Sequence, residues 1–225
     1  MNSFGLNELK ANRLLASAGI SMVQTFLCKS EREALENAEE IGFPIALKIL
    51  SPDIMHKTEA GCVKVDIRNQ SELRYAYRIV LNNAKKFQKD AHIEGVIIQK
   101  MLRDGLQLIF GISYEAQFGH TIVFGKGGIY VDVYQDLALR LVPITKKDAY
   151  NMIDETQISK ILLGKRLHKY NLDEAANVLL NLSKLVKEKP EIKEIDINPY
   201  IIYEGGIGGA GVDAVVTISN SPDKL

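Results

Sequence analysis

Residues 42–65 read GFPIALKILSPDIMHKTEAGCVKV, and the order of their parts decides the fold. Pro44 leads into IALKIL, a short apolar run with the character of a buried strand and a single charge, Lys48. The polar stretch SPDIMHKTEAG then breaks the hydrophobic pattern. CVKVDI follows with the strict alternation of a half-buried strand. Two strands joined by a loop that carries His56, Lys57 and Gly61 form the centre from which the rest is read.

On the N-terminal side, Leu6, Leu9, Leu14 and Leu15 fall near helical spacing and Gly19 supplies a stop. SMVQTFL at 21–27 reads as a strand. Ser30 then caps a helix, EREALENAEEIG, with Glu33 at the capping-box position and Gly42 closing it. On the C-terminal side, Ser71 starts a helix running to about Phe87, and GVIIQKML is another buried strand. The order helix, strand, helix, strand, strand, helix, strand predicts an α+β lobe rather than a doubly wound sheet.

The second half continues with LQLIFGISYE and TIVFGKGGIYVDVY, both strand-like. Helices are expected at about 146–155, 156–163 and 172–189. EIDINPYIIY and VDAVVTIS close the chain as strands around the glycine-rich turn EGGIGGAG. With neither a Pro- or Ser-rich linker nor a repeat, the expected organisation is two lobes, residues 1–100 and 101–225, with a cleft between them as the natural ligand site.

Composition narrows the function. The chain has 225 residues, 46% hydrophobic and 25% charged, the balance of a globular protein. Lys plus Arg and Asp plus Glu each number 28, so there is no basic excess to favour nucleic acid or an anionic membrane. Cys28 and Cys62 lack CxxC spacing, which argues against a zinc site or a disulfide framework and fits a reducing cytoplasm. No apolar run approaches the ~20 residues that span a bilayer.

Four segments carry candidate chemistry. Lys48 needs a carboxylate, an anionic ligand or a strand edge, because an unpartnered buried ammonium is costly. In the 51–64 loop, Gly61 can present backbone N–H groups to phosphate oxygens whose charge lysines neutralise. A Walker A pattern is absent. His56 is open to four readings: general base, metal ligand, phosphoryl carrier or solvated loop residue.

In EIDINPY, Asp196 and Asn198 alternate along a strand and share a face. Asp213 starts the next strand, where a hairpin would bring it opposite. Such oxygens suit Mg²⁺, or else shape the turn before Pro199. The glycines of GKGGIYVDVYQD mark a bulge, a bend or close approach of a ligand. His92, His120 and His168 read as surface or structural residues, and KKFQK at 85–89 as a solvated helix face.

Taken in order, GFPIALKILSPDIMHKTEAGCVKV, GVIIQKM, QFGHTIVFGKGGIYVDVYQDLALRLVPI, LLGKR and EIKEIDINPY with VDAVV resemble the nucleotide-binding part of the ADP-forming (NDP-forming) acyl-CoA synthetases. The similarity runs from about Leu6 to Thr217, and extends more distantly to the β subunit of succinyl-CoA synthetase. It implies an ATP-grasp fold, two α+β lobes clasping ADP or ATP.

By this resemblance Lys48 contacts the nucleotide phosphates, and Lys57 to Gly61 form the mobile loop over them. Gln99, Lys100 and Met101 form the hinge strand against adenine. Gln107 lies near the nucleotide, Asn198 and Asp213 hold Mg²⁺, and Asp196 is an acidic residue near the phosphohistidine. His56 matches the histidine that takes phosphate from a first phosphohistidine and hands it to ADP, chemistry suited to a neutral imidazole.

Three positions depart from the family pattern. Cys62 replaces a usual glycine, Gln107 a usual glutamate, and Asp132 is a shortened glutamate. The family reaction, acyl-CoA + ADP + phosphate ⇌ acid + ATP + CoA, also needs a CoA-binding ligase part. The resemblance therefore implies a cytoplasmic β subunit working with a separate α subunit, as α2β2. Two alternatives stay open: the ATP-grasp subunit of a succinyl-CoA synthetase-like or other carboxylate ligase, and a non-catalytic paralogue that only binds nucleotide.

Overall fold

The computed structural model describes residues 3–54, 56–129, 131–162 and 170–219. In chain order the elements begin β1 (Ser3–Gly5), α1 (Glu8–Ser17), β2 (Thr25–Cys28), α2 (Glu31–Ile41), β3 (Ile45–Leu50), β4 (Val63–Ile67), α3 (Gln70–Phe87) and β5 (Gly95–Lys100). They continue β6 (Leu106–Glu115), β7 (Gly119–Lys126), α4 (Val131–Tyr134), β8 (Leu137–Leu141), α5 (Lys146–Glu155) and α6 (Ser159–Leu162). The last are α7 (Leu172–Glu188), β9 (Ile192–Ile202), β10 (Gly209–Gly211) and β11 (Ala214–Ser219). No described helix is long and apolar enough to cross a membrane.

The chain divides into two compact units, residues 23–103 and residues 1–22 with 104–225. The expected boundary at 100/101 therefore assigns the first 22 residues to the wrong side. The cause is local. Strand β1 pairs antiparallel with β11, Ser3 opposite Ser219. Ala11, Leu15 and Ile20 are buried in the same core as Val216. Burying those side chains removes them from water at ~25 cal/mol per Å², which ties the N-terminal helix to strands formed 200 residues later.

The 23–103 unit is a four-stranded antiparallel sheet in the order β2-β5-β3-β4. Helices α2 and α3 supply Ala34, Ala38, Leu73, Ala76 and Val80 to a core shared with Ile45, Leu47, Ile49, Val96 and Ile98. Lys48 alternates with these residues, so it lies on the sheet face turned away from both helices. Ser30 caps α2 through the Glu33 N–H, as expected. The Glu33 carboxylate reaches Lys29 N rather than Ser30 N. Helix α3 starts one residue earlier than predicted, because Asn69 is its cap.

The larger unit is a seven-stranded sheet in the order β1-β11-β9-β6-β7-β8, with β10 paired to β9. Phe110, Phe124 and Tyr200 are buried in its core, where the Phe110 ring meets Phe124 tilted and Tyr200 edge-on. Helices α1, α5 and α7 cover that face. The stretch at 121–134, expected as one strand, ends at Lys126. The chain turns at Gly127 and Gly128, makes the single helical turn α4, and returns as β8, an edge strand absent from the sequence reading. Most of LLGKR, His168 and the side chain of Asp132 lie outside the described residues.

Candidate functional site

The candidate residues fall into two groups, one in each unit. In the 23–103 unit, β3 presents Lys48, the one half-buried residue in an otherwise buried strand. The chain leaves β3 through Ser51, whose hydroxyl accepts from Asp53 N at 3.2 Å. The Asp53 carboxylate accepts from His92 N at 2.6 Å, and Ile54 is fully buried.

His56 then begins a compact turn. Ala60 N donates to its carbonyl at 3.0 Å and Cys62 N donates to Lys57 O at 2.8 Å. The His56 side chain is 74% exposed, with Nδ1 3.9 Å from the carboxylate of Glu59. A histidine held outward on a pinned turn has the access that a phosphoryl acceptor needs. Gly61 closes the turn at φ +65°, a conformation that glycine adopts without strain.

Segment 99–101 is more occupied than the resemblance implies. Gln99 is buried and its side-chain amide donates to Thr25 Oγ1 at 3.3 Å. The Lys100 ammonium donates to the carbonyls of Gly42 at 2.7 Å and Phe43 at 3.4 Å, at the end of α2. Met101 N donates to Pro44 O. The Lys100 side chain thus ties β5 to the end of α2, and the Gln99 side chain ties it to β2.

In the larger unit, β9 carries Asp196 and Asn198 on the sheet face opposite the helices. Asn198 N donates to Asp213 O at 3.2 Å, so the expected meeting of this pair with Asp213 is found. Gly128 N donates to Asn198 Oδ1 at 2.8 Å. Gly127 N donates to Gln107 O at 2.9 Å. A Cβ on Gly128 would meet Gln107 Oε1 at 2.4 Å, so the glutamine side chain lies against this glycine. Gln107, Gly128, Asn198 and Asp213 thus form one continuous cluster.

Asp196 stands beside it with Oδ1 buried and without a hydrogen-bond partner. Burial, then Glu194 and Asp213, push its carboxyl up to about 6. A buried carboxylate oxygen left without a donor, next to two further carboxylates, fits a site completed by a cation or a cationic group.

Among the described residues no set of three His, Cys, Asp or Glu is arranged to hold a metal ion. Asn198 and Asp213 therefore offer two oxygen donors, too few for an all-protein cage. They suit Mg²⁺, which keeps water and phosphate as its other ligands.

Sequence reasoning missed the role of Gly128 as donor to Asn198, although the glycine triplet marked the place. It also missed Asn83, whose side chain holds Gly61 O at 2.8 Å. No motif signals that residue, because an asparagine within a helix looks like an ordinary half-exposed position.

The chain matches the ATP-grasp domain family over residues 2–218. It is 40% identical over 213 residues to subunit beta of the ADP-forming acetate–CoA ligase II of Pyrococcus furiosus, covering 94% of this chain and 90% of that protein. Subunit beta of ligase I of the same organism is 42% identical over 200 residues, covering 88% and 86%. A solved structure of the dinucleotide-forming acetyl-coenzyme A synthetase 1 of Ca. Korarchaeum cryptofilum, with coenzyme A and Mg-AMPPCP, superposes with a TM-score of 0.83 at 33% identity, covering 96% of this chain and 93% of that one.

Proposed function

We propose that this chain, which belongs to the ATP-grasp family together with the β subunits of ADP-forming acetate–CoA ligases, moves a phosphoryl group between a nucleotide and His56. The observation that carries the reading is the exposed His56 on its pinned turn, within a chain that follows those β subunits almost end to end.

A neutral ring nitrogen of His56 attacks the phosphorus of a phosphohistidine on a partner subunit. A new N–P bond forms as the donor N–P bond breaks. A β-phosphate oxygen of ADP then attacks the phosphorus on His56, the N–P bond breaks, and ATP results. Little covalent chemistry is asked of the protein, so positioning and charge neutralisation account for most of the rate. Lys48 and Lys57 neutralise phosphate charge, and Gly61 leaves the backbone free to approach. Asn198 and Asp213 would hold Mg²⁺, which would supply further neutralisation of phosphate charge. Asp196, beside them, is the acidic residue near the partner subunit's phosphohistidine, and Gln107 orients the nucleotide.

The partner is a CoA-binding α subunit in a cytoplasmic α2β2 assembly, and the net reaction interconverts acyl-CoA, ADP and phosphate with acid, ATP and CoA. The near-complete alignment with acetate–CoA ligase β subunits favours this over a succinyl-CoA synthetase-like ligase, to which the match falls to 24% identity.

The test is co-expression with the α subunit and an assay of ATP formation from acetyl-CoA, ADP and phosphate. Activity lost in His56→Ala with the complex intact is the expected result. Full activity in that variant overturns the carrier role.

A further inference from the structure

We propose that Asn83, which lies outside the motif segments quoted above, is a positioning residue that sets where His56 stands for phosphoryl transfer; the proposal rests on the reading of His56 as the carrier. The His56 turn makes its own hydrogen bonds: Ala60 N to His56 O, Gly61 N to Thr58 O and Cys62 N to Lys57 O. A turn closed by three short-range bonds opens readily unless the rest of the unit supports it. Its direction therefore depends on what fixes it to the rest of the unit.

Three contacts do so: Ile49 N of β3 donates to Cys62 O at 3.0 Å, and two more come from α3. Cys62 is fully buried, and its thiol lies 3.4 Å from Ala60 O and 3.7 Å from Val80 O. Asn83, one turn further along α3, donates Nδ2 to Gly61 O at 2.8 Å. Of the two from α3, the first is a weak thiol interaction and the second a full amide–carbonyl hydrogen bond. Asn83 is thus the stronger tie between the turn and the helix.

The fit is close. A Cβ on Gly61 would sit 2.9 Å from Asn83 Nδ2, so the glycine admits the amide to its carbonyl. On its outer side His56 and Glu59 are 74% and 77% exposed.

The consequence is kinetic. A reacting nitrogen must reach phosphorus in a near-attack geometry, and a loosely aimed turn spends little time there. Without the Asn83 bond the turn samples more orientations, so transfer slows. Nucleotide affinity falls less than transfer does, because Lys48, Asn198 and Asp213 lie outside the turn.

The experiment compares native protein with Asn83→Asp, a near-isosteric change that removes the donor, and with Asn83→Ala. Hydrogen exchange of the Ala60, Gly61 and Cys62 amides is followed in the full chain. Formation of acid-labile phosphohistidine on this chain is followed in the complex with its α subunit, supplied with radiolabelled ATP and Mg²⁺.

Expected for both variants is exchange about tenfold faster in the turn, with phosphorylation slower by about tenfold and a rise in KM for nucleotide of no more than about threefold. Exchange and phosphorylation both within twofold of native overturns the proposal, as does a loss confined to KM. Should Asn83→Asp fold poorly, Asn83→Ala gives the same readouts. His56→Ala is run alongside. Undiminished labelling there sinks the carrier reading, while abolished labelling with normal Asn83 variants sinks only the positioning role.

Discussion

Gly128 N donates to Asn198 Oδ1 across 2.8 Å, tying the glycine turn after β7 to the strand that carries the acidic cluster. The bond uses one lone pair of the amide oxygen and leaves the other available to a cation. Asn198→Ala removes both. The expected result is a fall of about tenfold in affinity for the Mg²⁺–nucleotide complex, with metal-free nucleotide binding nearly unchanged, measured by calorimetry with and without Mg²⁺. Asn198→Asp keeps an oxygen at both positions and stays within a few-fold of native. An alanine variant that retains the full Mg²⁺ response would remove Asn198 from the metal site.

Gly127 is constrained by packing. A Cβ there would lie 2.4 Å from both the carbonyl carbon and the oxygen of Leu108, which are backbone atoms within the sheet. Gly127→Ala therefore forces strand β6 and the turn apart and is expected to cost about 3 kcal/mol in urea unfolding. Gly5→Ala is the comparison, because a Cβ at Gly5 meets nothing within 4 Å. It should change stability by less than about 0.5 kcal/mol. Equal effects at the two positions would contradict the packing argument.

These glycines also show what a sequence discloses. The strands around Lys48 were legible because IALKIL and CVKVDI carry periodicity in the residues themselves. The meeting of Asn198 with Asp213 followed from alternation and a hairpin. Helix α4 was not legible, because VDVY has strand character and only the turn at Gly127 and Gly128 makes it helical. Nor was the attachment of residues 1–22 to the later unit, since the pairing of Ser3 with Ser219 is a tertiary choice with no local signal. The ligand roles of Gln99 and Lys100 rested on resemblance alone, and their side chains prove engaged with Thr25, Gly42 and Phe43.

Asp196 gives the larger unit a pH signature. Burial first, then Glu194 and Asp213, raise its carboxyl from 3.8 to about 6. The folded chain then holds the proton more tightly than the unfolded chain. As pH rises from about 4 to 6 the unfolded chain has already released it, so stability falls through that window and levels off above it. Full weight would be about 3 kcal/mol, and partial contact with water reduces this to about 1–2 kcal/mol. In EDTA, Asp196→Asn should flatten this part of the pH–stability curve and be the more stable protein at pH 7. A variant that keeps the native slope would show that the carboxyl ionises normally.

Cys28 and Cys62 report on the other unit. Both are fully buried, and burial raises both thiols above their ordinary range, which suppresses the reactive thiolate. Neither should react with a disulfide reagent until the 23–103 unit opens. Native labelling is expected to be slower than in urea by about 1,000-fold or more, with the two thiols appearing together as denaturant rises. One thiol titrating rapidly in the native protein would show a local opening at β2 or at the His56 turn.

Tyr200 tests whether the core of the larger unit depends on a polar pair. The ring is fully buried against Phe110, and its hydroxyl donates to Glu174 Oε1 at 2.5 Å, joining β9 to the first turn of α7. Burial and the Glu174 partner both hold the phenol far above its usual range, so it remains a donor at every physiological pH. Tyr200→Phe preserves the ring contacts but leaves the carboxylate without its buried donor. The expected cost is about 1–3 kcal/mol in urea unfolding. Adding Glu174→Gln to that variant should recover part of the loss, because a neutral amide is cheaper to leave beside an apolar ring than a carboxylate. Strict additivity of the two changes would mean that the hydroxyl and the carboxylate are not coupled, and that ring packing alone holds β9 to α7.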